Sequence, residues 1–514
     1  MSRTLPFLEP ALLDSLPADV QRPSYDRTAL KPGIAHLGVG AFHRTHQAEY
    51  TDDLLHADFG AWGIVGINIR PPLLADSLAP QAGLYTRLMR EGDRAEARVI
   101  GSIVATVDSQ SSPQPALDIL ASPDIAVVTM TVTEKGYCHK PATGELDLAH
   151  PDIVHDLANP ENPRSVPGIL SRALELRMRS HGAPLTVMSC DNIPANGTLL
   201  QNVMQSITQL RYKGYGDDLG DWIEANVAFP STMVDRIAPA TSQADYETVE
   251  RRFGYRDRAV VVGEPFRQWV IENRFAGRMP AWDRVGATIV DDVTAFEHLK
   301  MRVLNGAQTT LCYLGVLAGH EHTCDDMTDP LLVHFVRRML LEETLPTLAP
   351  VPGINPSDYV AQSLDRLRNT AIRHRNHQIA TDGSQKIVQR LINPIRERLA
   401  RGETVALLST ALAGWMVYLI RASQRFGHAW TADDPYAGKV AEIADRVGDD
   451  AAALVGEILA MRALFDAELA ASAAFRSAVT DAVAGLLSAD PMGYLANVCG
   501  APPDARLKRP SQTA

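Results

Sequence analysis

"GIAHLGVGAFHRTHQAEYTDDLL", residues 33–55, decides the fold of the N-terminal half of the chain. An apolar run reaches Gly38 and Gly40, and a helical pattern follows it. These two glycines match the start of a dinucleotide-binding fingerprint, in which the first allows a tight turn and the second lets the backbone approach a pyrophosphate at a helix N-terminus. His43 stands at the third glycine position. A G-x-G motif alone is a weak signal for nucleotide binding, and the strand before it and the helix after it strengthen that signal. The alternative is a simple strand-to-helix turn that binds no nucleotide.

Further apolar runs that alternate with helical patterns predict strands at 62–70, 124–133, 184–190, 259–266 and 286–292. Such alternation implies βαβ units and a parallel sheet. Beyond residue 293, apolar periodicity predicts helices at 294–320, 329–344, 359–377, 384–400, 404–426, 437–467 and 470–487.

The predicted fold is therefore an α/β N-terminal Rossmann-type dinucleotide-binding domain plus an all-α C-terminal domain. We expect residues 1–293 to form the first domain with an N-terminal extension, residues 294–500 the helical substrate and catalytic domain, and residues 501–514 a loose tail.

Composition excludes several classes of partner. The chain has 514 residues and a net charge of −12, so it has no general attraction for nucleic acid or for anionic membranes. Its five cysteines show no paired spacing, and its first twenty residues lack the apolar core of a secretory signal, which together indicate a cytoplasmic protein with reduced thiols. The uncharged stretch 404–420 is expected to be a buried helix rather than a membrane span.

The end of the second predicted strand, "INIRPP", leaves the cofactor open. An acid at this place favours NAD, because it binds the ribose hydroxyls, but no acid appears before Asp76. Asn68 and Arg70 stand there instead. Arg70 can meet the 2′-phosphate of NADP, stack on adenine or be an ordinary surface arginine.

A second informative stretch, "LKMRVLNGAQTTL", covers residues 299–311. On a regular helix Asn305 and Gln308 share a face, and Lys300 precedes them by about a turn and a half. An ammonium and two carboxamides suit a site that handles a carbonyl, whereas the alternative is a solvated helix start with two polar positions. The nearness of Lys300 to the predicted domain boundary favours the first reading, because clefts between domains are common ligand sites.

Several stretches together resemble the polyol-specific long-chain dehydrogenase/reductase family, which includes mannitol 2-dehydrogenases and fructuronate reductases. The resemblance spans roughly residues 33 to 400 in matching order. Besides the two stretches quoted above, its motifs are "TEKGY" at 133–137, "SCDNIPANG" at 189–197, "VAFPSTMVDRIAP" at 227–239, "EPFRQWVIEN" at 264–273 and "TDGSQK" at 381–386.

The resemblance implies hydride transfer between NAD(P) and a sugar-derived secondary alcohol, without a metal. By motif position, Lys300 is the general base in oxidation and the general acid in reduction, Asn192 and Asn305 hold the substrate oxygen, and Asp235 lies near the substrate or the lysine. NAD(H) is favoured and NADP(H) stays open. The implied cofactor-binding residues are Gly38, Gly40, Ala41, Phe42, His43, Asn68, Arg70, Thr131, Thr133 and Asp191.

The chemistry of alcohol oxidation agrees with these roles. A hydride leaves a carbinol carbon only as its hydroxyl loses a proton. A lysine in water has a pKa near 10.4, which is too high for a base at neutral pH, because the amine is then already protonated. We therefore expect burial in a closing cleft to lower that pKa. Two neutral carboxamide donors would stabilise the developing oxyanion without competing for the proton.

Gln308 departs from the family motif, which usually carries histidine there. Glutamine donates and accepts hydrogen bonds but does not titrate near neutral pH. The departure bears on rate and substrate more than on fold. It also keeps open a reading from another class, a nucleotide-binding protein with weakened catalysis.

Two more clusters carry polar side chains. "GHEHTCDD", residues 319–326, contains zinc-capable atoms at a spacing that is poor for one helical face, so a structural or solvated role is expected. "RLRNTAIRHRNHQIATDGSQK", residues 366–386, reads as a charged helical face. The family resemblance makes part of it a wall of the substrate pocket, with Arg373, His377 and above all Lys386 as candidates.

A cationic wall of this kind can receive a sugar-acid carboxylate or the hydroxyls of a neutral polyol. The leading prediction is a cytoplasmic enzyme that interconverts D-mannitol and D-fructose. The alternative is D-mannonate and D-fructuronate, or a related hexuronate or pentitol. The expected partner is the small-molecule substrate alone, and the expected assembly is a monomer or a weak homo-oligomer.

Overall fold

A computed structural model describes residues 5–58, 60–91, 94–140, 143–211 and 218–500 of the chain. The predicted tail at 501–514 lies outside the described residues. The chain divides into two compact units, Met1–Thr294 and Ala295–Ala514.

The strands all belong to the first unit. In chain order they are β1 (Val20–Gln21), β2 (Lys31–Leu37), β3 (Trp62–Asn68), β4 (Tyr85–Glu91), β5 (Arg94–Ile100), β6 (Ile103–Asp108), β7 (Val127–Met130), β8 (Leu185–Ser189), β9 (Val227–Ala228), β10 (Thr232–Asp235), β11 (Val261–Gly263), β12 (Gln268–Glu272) and β13 (Thr288–Val290).

The helices of the first unit follow the same order. They are α1 (Ala41–Thr45), α2 (Gln47–His56), α3 (Gln114–Leu120), α4 (Thr133–Gly136), α5 (Pro151–Ala158), α6 (Val166–Ser180), α7 (Asn196–Arg211), α8 (Asp218–Asn226) and α9 (Gln243–Thr248), the last continued by a π-helical turn, Val249–Phe253.

A six-stranded sheet with the order β6-β3-β2-β7-β8-β9 forms the centre of the first unit, and all its neighbouring strands are parallel. Counted along the chain, its strands lie in the order 3-2-1-4-5-6 of a Rossmann fold. Neighbouring residues in a strand enter different apolar clusters on the two faces, as Val127 and Val128 or Val187 and Met188 do. Because both faces are covered, the strands read as continuous apolar runs. The predicted α/β Rossmann-type fold is confirmed.

Two of the predicted strands belong to smaller sheets instead. The run 259–266 gives β11, which pairs with β4 in a four-stranded sheet of order β1-β5-β4-β11. The run 286–292 gives β13, in a three-stranded sheet of order β10-β12-β13. Apolar runs predict a buried strand but do not say which sheet receives it. The antiparallel pair β4 and β5 was not predicted, because charged residues interrupt both strands.

The second unit is helical. Its helices, from Thr294 onwards, are α10 (Thr294–Lys300), α11 (Gly306–Ala318), α12 (Thr323–Asp326), α13 (Pro330–Arg338), α14 (Pro356–Leu367), α15 (Asn376–Ala380), α16 (Gly383–Ile387), α17 (Asn393–Ala400), α18 (Ala406–Arg421), α19 (Ala437–Val447), α20 (Ala451–Leu459), α21 (Ala467–Ala471), α22 (Ala473–Leu487) and α23 (Pro491–Cys499). Three π-helical segments extend or join them, Met301–Asn305, Met339–Thr344 and Val388–Ile392.

Two of these helices form the centre of the unit. All residues of α11 from Gly306 to Val316 and of α18 from Leu407 to Ile420 are buried. The helices approach closely where a Cβ on Gly414 would lie 3.3 Å from side-chain atoms of Tyr313 and Leu314. The stretch 404–420 is therefore a buried helix, as predicted. Within the described parts of the chain, none of the helices has the length and apolar character needed to span a membrane.

Two of the predicted helices are wrong in extent. The prediction 359–377 fails because α14 ends at Leu367 and the side chain of Asn369 accepts a hydrogen bond from the Ala371 N–H, which closes a turn. The prediction 437–467 covers α19, α20 and the residues after them. Gly448, with a φ of +74°, ends α19, and the Asp450 carboxylate caps α20.

Candidate active site

The turn after β2 depends on glycine at position 38. Gly38 has a φ of +89°, and a Cβ on it would lie 2.3 Å from the Thr131 carbonyl oxygen. Gly40 differs, because a Cβ there would meet only the Gly38 carbonyl oxygen, at 4.0 Å. The space next to Gly40 is therefore open, as a backbone that approaches a pyrophosphate requires.

A pocket of about 500 Å³ opens beside this turn, where β2 and β7 end. This is the place at which the strand order reverses and at which open α/β sheets bind their ligands. Its size lies within the range of about 300–1,000 Å³ that is usual for ligand sites. Of the predicted cofactor-binding residues, Gly38, Gly40, Asn68, Arg70, Thr131 and Thr133 line it.

Side chains at the strand ends fix the shape of the turn. The Asn68 Oδ1 accepts a hydrogen bond from the Val39 N–H (2.8 Å), and its Nδ2 donates to the Pro72 carbonyl (2.9 Å). The Thr131 hydroxyl donates to the Gly38 carbonyl oxygen (2.7 Å). Asn68 and Thr131 therefore act chiefly by holding the backbone that lines the pocket.

Arg70 has an acidic partner inside the pocket lining. Its Nη2 donates to Asp152 Oδ2 at 2.5 Å, and Asp152, from α5, lines the same pocket. The Arg70 side chain is 61% exposed and that of Asp152 is 25% exposed. The structure thus places Arg70 in an ion pair with Asp152, and the three interpretations of Arg70 stay predictions.

Four predicted cofactor-binding residues, Ala41, Phe42, His43 and Asp191, are not part of the pocket lining. His43 lies in the interior, where its ring stacks on that of His36 with 3.3 Å between centroids. Burial lowers the pKa of both imidazoles, that of His36 to about 3, so both are neutral. The missing third glycine is thus replaced by a core side chain.

Asp191 acts on the pocket through its loop. Its carboxylate accepts hydrogen bonds from the N–H groups of Val132 (3.1 Å) and Thr133 (3.0 Å) and from the Tyr137 hydroxyl (2.8 Å). Burial raises the pKa of this carboxyl to about 6 despite these donors. Asp191 holds the segment after β7, whose residues line the pocket.

Asn192 follows Asp191 on an exposed loop after β8. Asn196 fixes the base of this loop, because its Nδ2 donates to the carbonyls of Asp191 (3.0 Å) and Thr232 (2.9 Å), and its Oδ1 accepts from the Thr232 N–H (2.9 Å). Asn192 is therefore displayed from a loop with a rigid base.

Asp235 ends β10 and is buried. The next residue, Arg236, donates to the Glu49 carboxylate (2.8 Å) and to the Glu264 carbonyl (2.9 Å). The Glu264 carboxylate in turn accepts from the Ile237 N–H (2.6 Å). Sequence reasoning missed Glu49 and Glu264, although an acid inside an apolar helical face, as at Glu49, is a signal of a buried partner.

The helix that carries Lys300 is not a regular α-helix. A π-helical turn, Met301–Asn305, joins α10 to α11, and the Gly306 N–H donates to the Met301 carbonyl five residues earlier. Residues five apart therefore come nearer to one face than in an α-helix, which bears on Lys300 and Asn305. Single π turns inside α-helices are frequent at functional sites.

Two polar side chains of this helix are buried, and a third is partly buried. Lys300 is 4% and Gln308 8% exposed, so neither belongs to a solvated helix face. Asn305 Nδ2 donates to Gln308 Oε1 at 3.4 Å, so these two residues share a face as predicted. The Asn305 Oδ1 is buried and lacks a hydrogen-bond partner among the described residues. A buried acceptor of this kind calls for a ligand or water.

Contacts on other sides hold the π turn in place. The Arg302 guanidinium binds Glu397 through two hydrogen bonds (2.8 and 2.6 Å) and donates to the Thr347 carbonyl (3.0 Å). The Arg390 guanidinium donates to the Thr309 hydroxyl (2.8 Å). Since Arg390 belongs to the π segment after α16, the "TDGSQK" motif packs against the helix of Lys300.

Comparison with known proteins identifies this arrangement. The mannitol dehydrogenase Rossmann domain matches residues 32–284, and the mannitol dehydrogenase C-terminal domain matches residues 292–487. The chain belongs to the mannitol dehydrogenase family. The family resemblance and the oxidoreductase class predicted from the sequence are thereby confirmed.

Relatives within the mannitol dehydrogenase family differ in name. D-mannonate oxidoreductase of Escherichia coli is 39% identical over 90% of this chain and 95% of its own length. Mannitol 2-dehydrogenase of Cereibacter sphaeroides is 38% identical over 78% of this chain and 83% of its own. The structure of Pseudomonas fluorescens mannitol 2-dehydrogenase in a ternary complex with NAD and D-mannitol matches with a TM-score of 0.85 and 37% identity, over 96% of this chain and 99% of that one.

In this member of the mannitol dehydrogenase family, the predicted substrate wall is not one helical face, because α14 ends at Leu367. Exposed Arg373 lies 3.4 Å from the His322 ring nitrogen, and the His377 ring bonds the Tyr418 hydroxyl (2.9 Å). The Lys386 ammonium donates to the carbonyls of Ile379 (3.2 Å) and Thr381. Arg373 is thus a surface cation, and Lys386 also closes the turn before its own helix.

The "GHEHTCDD" segment of the chain packs into the helical unit. His320 Nδ1 lies 3.1 Å from Asp326 Oδ1, which also accepts from Asn376 Nδ2 (3.1 Å). Burial raises the pKa of the Asp326 carboxyl to about 8. Among the described residues, no group of three or more His, Cys, Asp or Glu side chains is arranged to hold a metal ion.

Proposed function

We propose that this member of the mannitol dehydrogenase family interconverts D-mannitol and D-fructose, with Lys300 as the proton-transferring group. The observation that supports this most strongly is the set of polar side chains on the π-widened helix: Lys300 and Gln308 are buried, and Asn305 is partly buried with its Oδ1 enclosed. The family relatives named mannitol 2-dehydrogenase support the substrate.

In the proposed mechanism Lys300 accepts the proton of the substrate hydroxyl during oxidation and returns it to the carbonyl oxygen during reduction. The carboxamide N–H groups of Asn305 and Asn192 donate hydrogen bonds to this oxygen while its charge changes, and the unpartnered Oδ1 of Asn305 accepts from a substrate hydroxyl. The pocket beside Gly38 and Gly40 would hold a nicotinamide nucleotide, which would supply the hydride acceptor in oxidation and the hydride donor in reduction. Asp235 is proposed to lie near the substrate, and Gln308 to orient the Asn305 amide that donates to it.

A second substrate pair, D-mannonate and D-fructuronate, has its own support. Exposed Arg373 offers a cation to which a sugar-acid carboxylate can bind, with His377 and Lys386 nearby in the chain. The 39% identical relative from Escherichia coli is a D-mannonate oxidoreductase.

Consumption of reduced nicotinamide by the purified protein separates these proposals. NADH and NADPH are tested separately with D-fructose, D-fructuronate and D-tagaturonate. Turnover of D-fructose supports the leading proposal, and turnover of D-fructuronate alone replaces it by the second. No turnover of any of the three, with nucleotide still bound, contradicts both and favours the reading of weakened catalysis.

Lys300→Met tests the proton-transfer role. We expect kcat to fall by about 10³-fold or more, because a positioned acid or base contributes about 10²–10⁴-fold. The Kd for NADH, measured by fluorescence titration, should stay within about twofold of the wild type. Lys439→Met removes an exposed lysine from the same unit and is the matched control. Retained turnover in Lys300→Met would exclude the mechanism.

The proposed function extends to the roles of the two domains, the cofactor, the cellular location and the assembly. We propose that residues 1–293 bind the nucleotide, that residues 294–500 bind substrate, and that NAD(H) is the cofactor, as in the matched ternary complex. Free, buried cysteines support a cytoplasmic location. Size-exclusion chromatography with light scattering tests the proposed monomer or weak homo-oligomer.

A further inference from the structure

We propose that Asp152 makes this protein select NAD over NADP, an inference that rests on the nucleotide-dependent function proposed above. In Rossmann folds the selecting acid commonly follows the second strand of the sheet. Here that strand is β3, and it ends at Asn68, whose side chain holds the turn through Val39 and Pro72. The following residues, Ile69 and Arg70, carry no acid.

Asp152 brings a carboxylate to the same pocket from another part of the chain. It lies 82 residues beyond Arg70, at the start of α5, and lines the pocket together with Arg70. Its backbone N–H donates to the His150 ring nitrogen (3.2 Å), which fixes the start of the helix. The side chain is three-quarters buried, with Oδ2 at 2.5 Å from Arg70 Nη2.

The pair has opposite consequences for the two nucleotides. A carboxylate accepts hydrogen bonds from ribose hydroxyls, but it repels a 2′-phosphate at short range. Arg70 is the side chain that a 2′-phosphate would need, and its guanidinium is already engaged by Asp152. A phosphate would have to displace a carboxylate that remains beside it.

Other charges of the pocket do not replace this discrimination. Lys135 and Arg164 also line it, and both attract any phosphate, including the pyrophosphate that NAD and NADP share. A cation that acts on the shared part of two ligands does not distinguish between them. Selection between NAD and NADP therefore depends on the side chains near the 2′ position of the ribose, where the two nucleotides differ. We place the ion pair of Arg70 and Asp152 at that position.

Binding titrations without any sugar test the proposal. The Kd values for NADH and NADPH are measured by nucleotide fluorescence for the wild type, Asp152→Asn, and the double variant Arg70→Gln/Asp152→Asn. Asp118→Asn, at an exposed position of α3, is the matched control. Thermal unfolding shows that each variant is folded, and Asp152→Ser replaces Asp152→Asn if the latter is not.

We expect wild-type protein to bind NADH more tightly, and Asp152→Asn to lower the ratio of the NADPH Kd to the NADH Kd by about tenfold or more. The double variant should lose the gain in NADPH affinity, because Arg70 supplies it. An unchanged ratio, wild-type preference for NADPH, or no binding of either nucleotide would overturn the proposal. If the ratio of Kd values shifts but no sugar is turned over, the role of Asp152 stands and the proposed substrates are wrong. If sugars are turned over but the ratio does not shift, the proposed function stands and the role of Asp152 is wrong.

Discussion

Gly38 and Gly40 lie in the same turn, but the backbone around them imposes different demands. At Gly38 an alanine Cβ would stand 2.3 Å from a carbonyl oxygen at positive φ, whereas at Gly40 the space is open toward the pocket. We expect Gly38→Ala to lower the free energy of unfolding by about 2 kcal/mol or more, because strain and a backbone clash add.

Gly40→Ala is the matched comparison. We expect its free energy of unfolding to stay within about 0.5 kcal/mol of the wild type, while the Kd for NADH rises about tenfold or more, because the new methyl occupies the approach to the pyrophosphate. Urea unfolding and fluorescence titration measure the two quantities. Unchanged NADH affinity in Gly40→Ala would show that the nucleotide does not approach this backbone.

Gln308, which departs from the family motif, bears on the rate of the reaction. It is buried and accepts from Asn305 Nδ2, at a length of 3.4 Å that leaves room for a better hydrogen bond. We expect Gln308→His to raise kcat about three- to tenfold, since an improved hydrogen bond is worth about 1 kcal/mol. The pH profile of kcat should also gain an inflection below about pH 6.5, because burial lowers the pKa of an imidazole.

Gln308→Leu should have the opposite effect on kcat. Leucine removes the acceptor for the Asn305 amide, so we expect kcat to fall. Steady-state kinetics with D-fructose compare the two variants. If both leave the pH profile and kcat unchanged, position 308 is a spacer and the departure from the family motif has no bearing on the reaction.

At this scale, the sequence predicted residues whose signal is local. Gly38, Gly40, Asn68, Arg70, Thr131 and Thr133 follow strand ends, and all line the pocket. Asp152 was not predicted, because its contact with Arg70 joins positions 82 residues apart. His43 was predicted from its place in the fingerprint, which does not show that its side chain lies in the core.

The helix of Lys300 shows why an element can be predicted while its geometry is not. Apolar periodicity correctly predicts a helix over Thr294–Ala318. One π turn shifts the register by a single residue, and the pattern does not show this shift because α11 is buried on all sides. The turn is held by contacts from distant positions, such as Arg302 with Glu397.

Replacement of glycine by alanine is expected to have opposite effects on stability at two positions of α11. A Cβ on Gly306 would make ordinary contact with the Arg390 carbonyl oxygen at 3.6 Å, whereas on Gly315 it would stand 2.0 Å from Asp326 Oδ1. Gly306→Ala should raise the free energy of unfolding of the helical unit by up to about 1 kcal/mol, through helix propensity. Gly315→Ala should lower it by about 3 kcal/mol, because the core is overpacked.

Urea unfolding followed by circular dichroism measures both variants, and each serves as the control for the other. If Gly306→Ala destabilises as much as Gly315→Ala, the packing of the π segments against each other is tighter than this structure shows.

At the scale of the whole molecule, the buried Asp326 carboxyl couples stability to pH. Its pKa is raised to about 8 by burial, whereas an unfolded aspartate titrates near about 3.9. Between these values the folded chain binds a proton that the unfolded chain lacks, so this contribution to stability is complete below about pH 4 and is lost as pH rises through about 8.

Asp326→Asn removes that titration. We expect the free energy of unfolding of the wild type, relative to the variant, to fall by on the order of 2 kcal/mol between about pH 5 and about pH 8. Urea unfolding at several pH values measures the difference, and Asp365→Asn, which changes an exposed carboxylate, is the control. A difference that does not vary with pH would show that the Asp326 carboxyl is ionised throughout this range.

The burial of α11 has a practical consequence for studying the site. Its residues from Gly306 to Val316 are all enclosed, so their amide hydrogens should exchange with solvent only when the helical unit unfolds globally. A ligand that binds the folded unit and not the unfolded one divides the rate of that exchange by one plus the ratio of the ligand concentration to Kd. Deuterium uptake by this one helix therefore measures sugar affinity without any turnover, including in Lys300→Met, where no rate is left to follow.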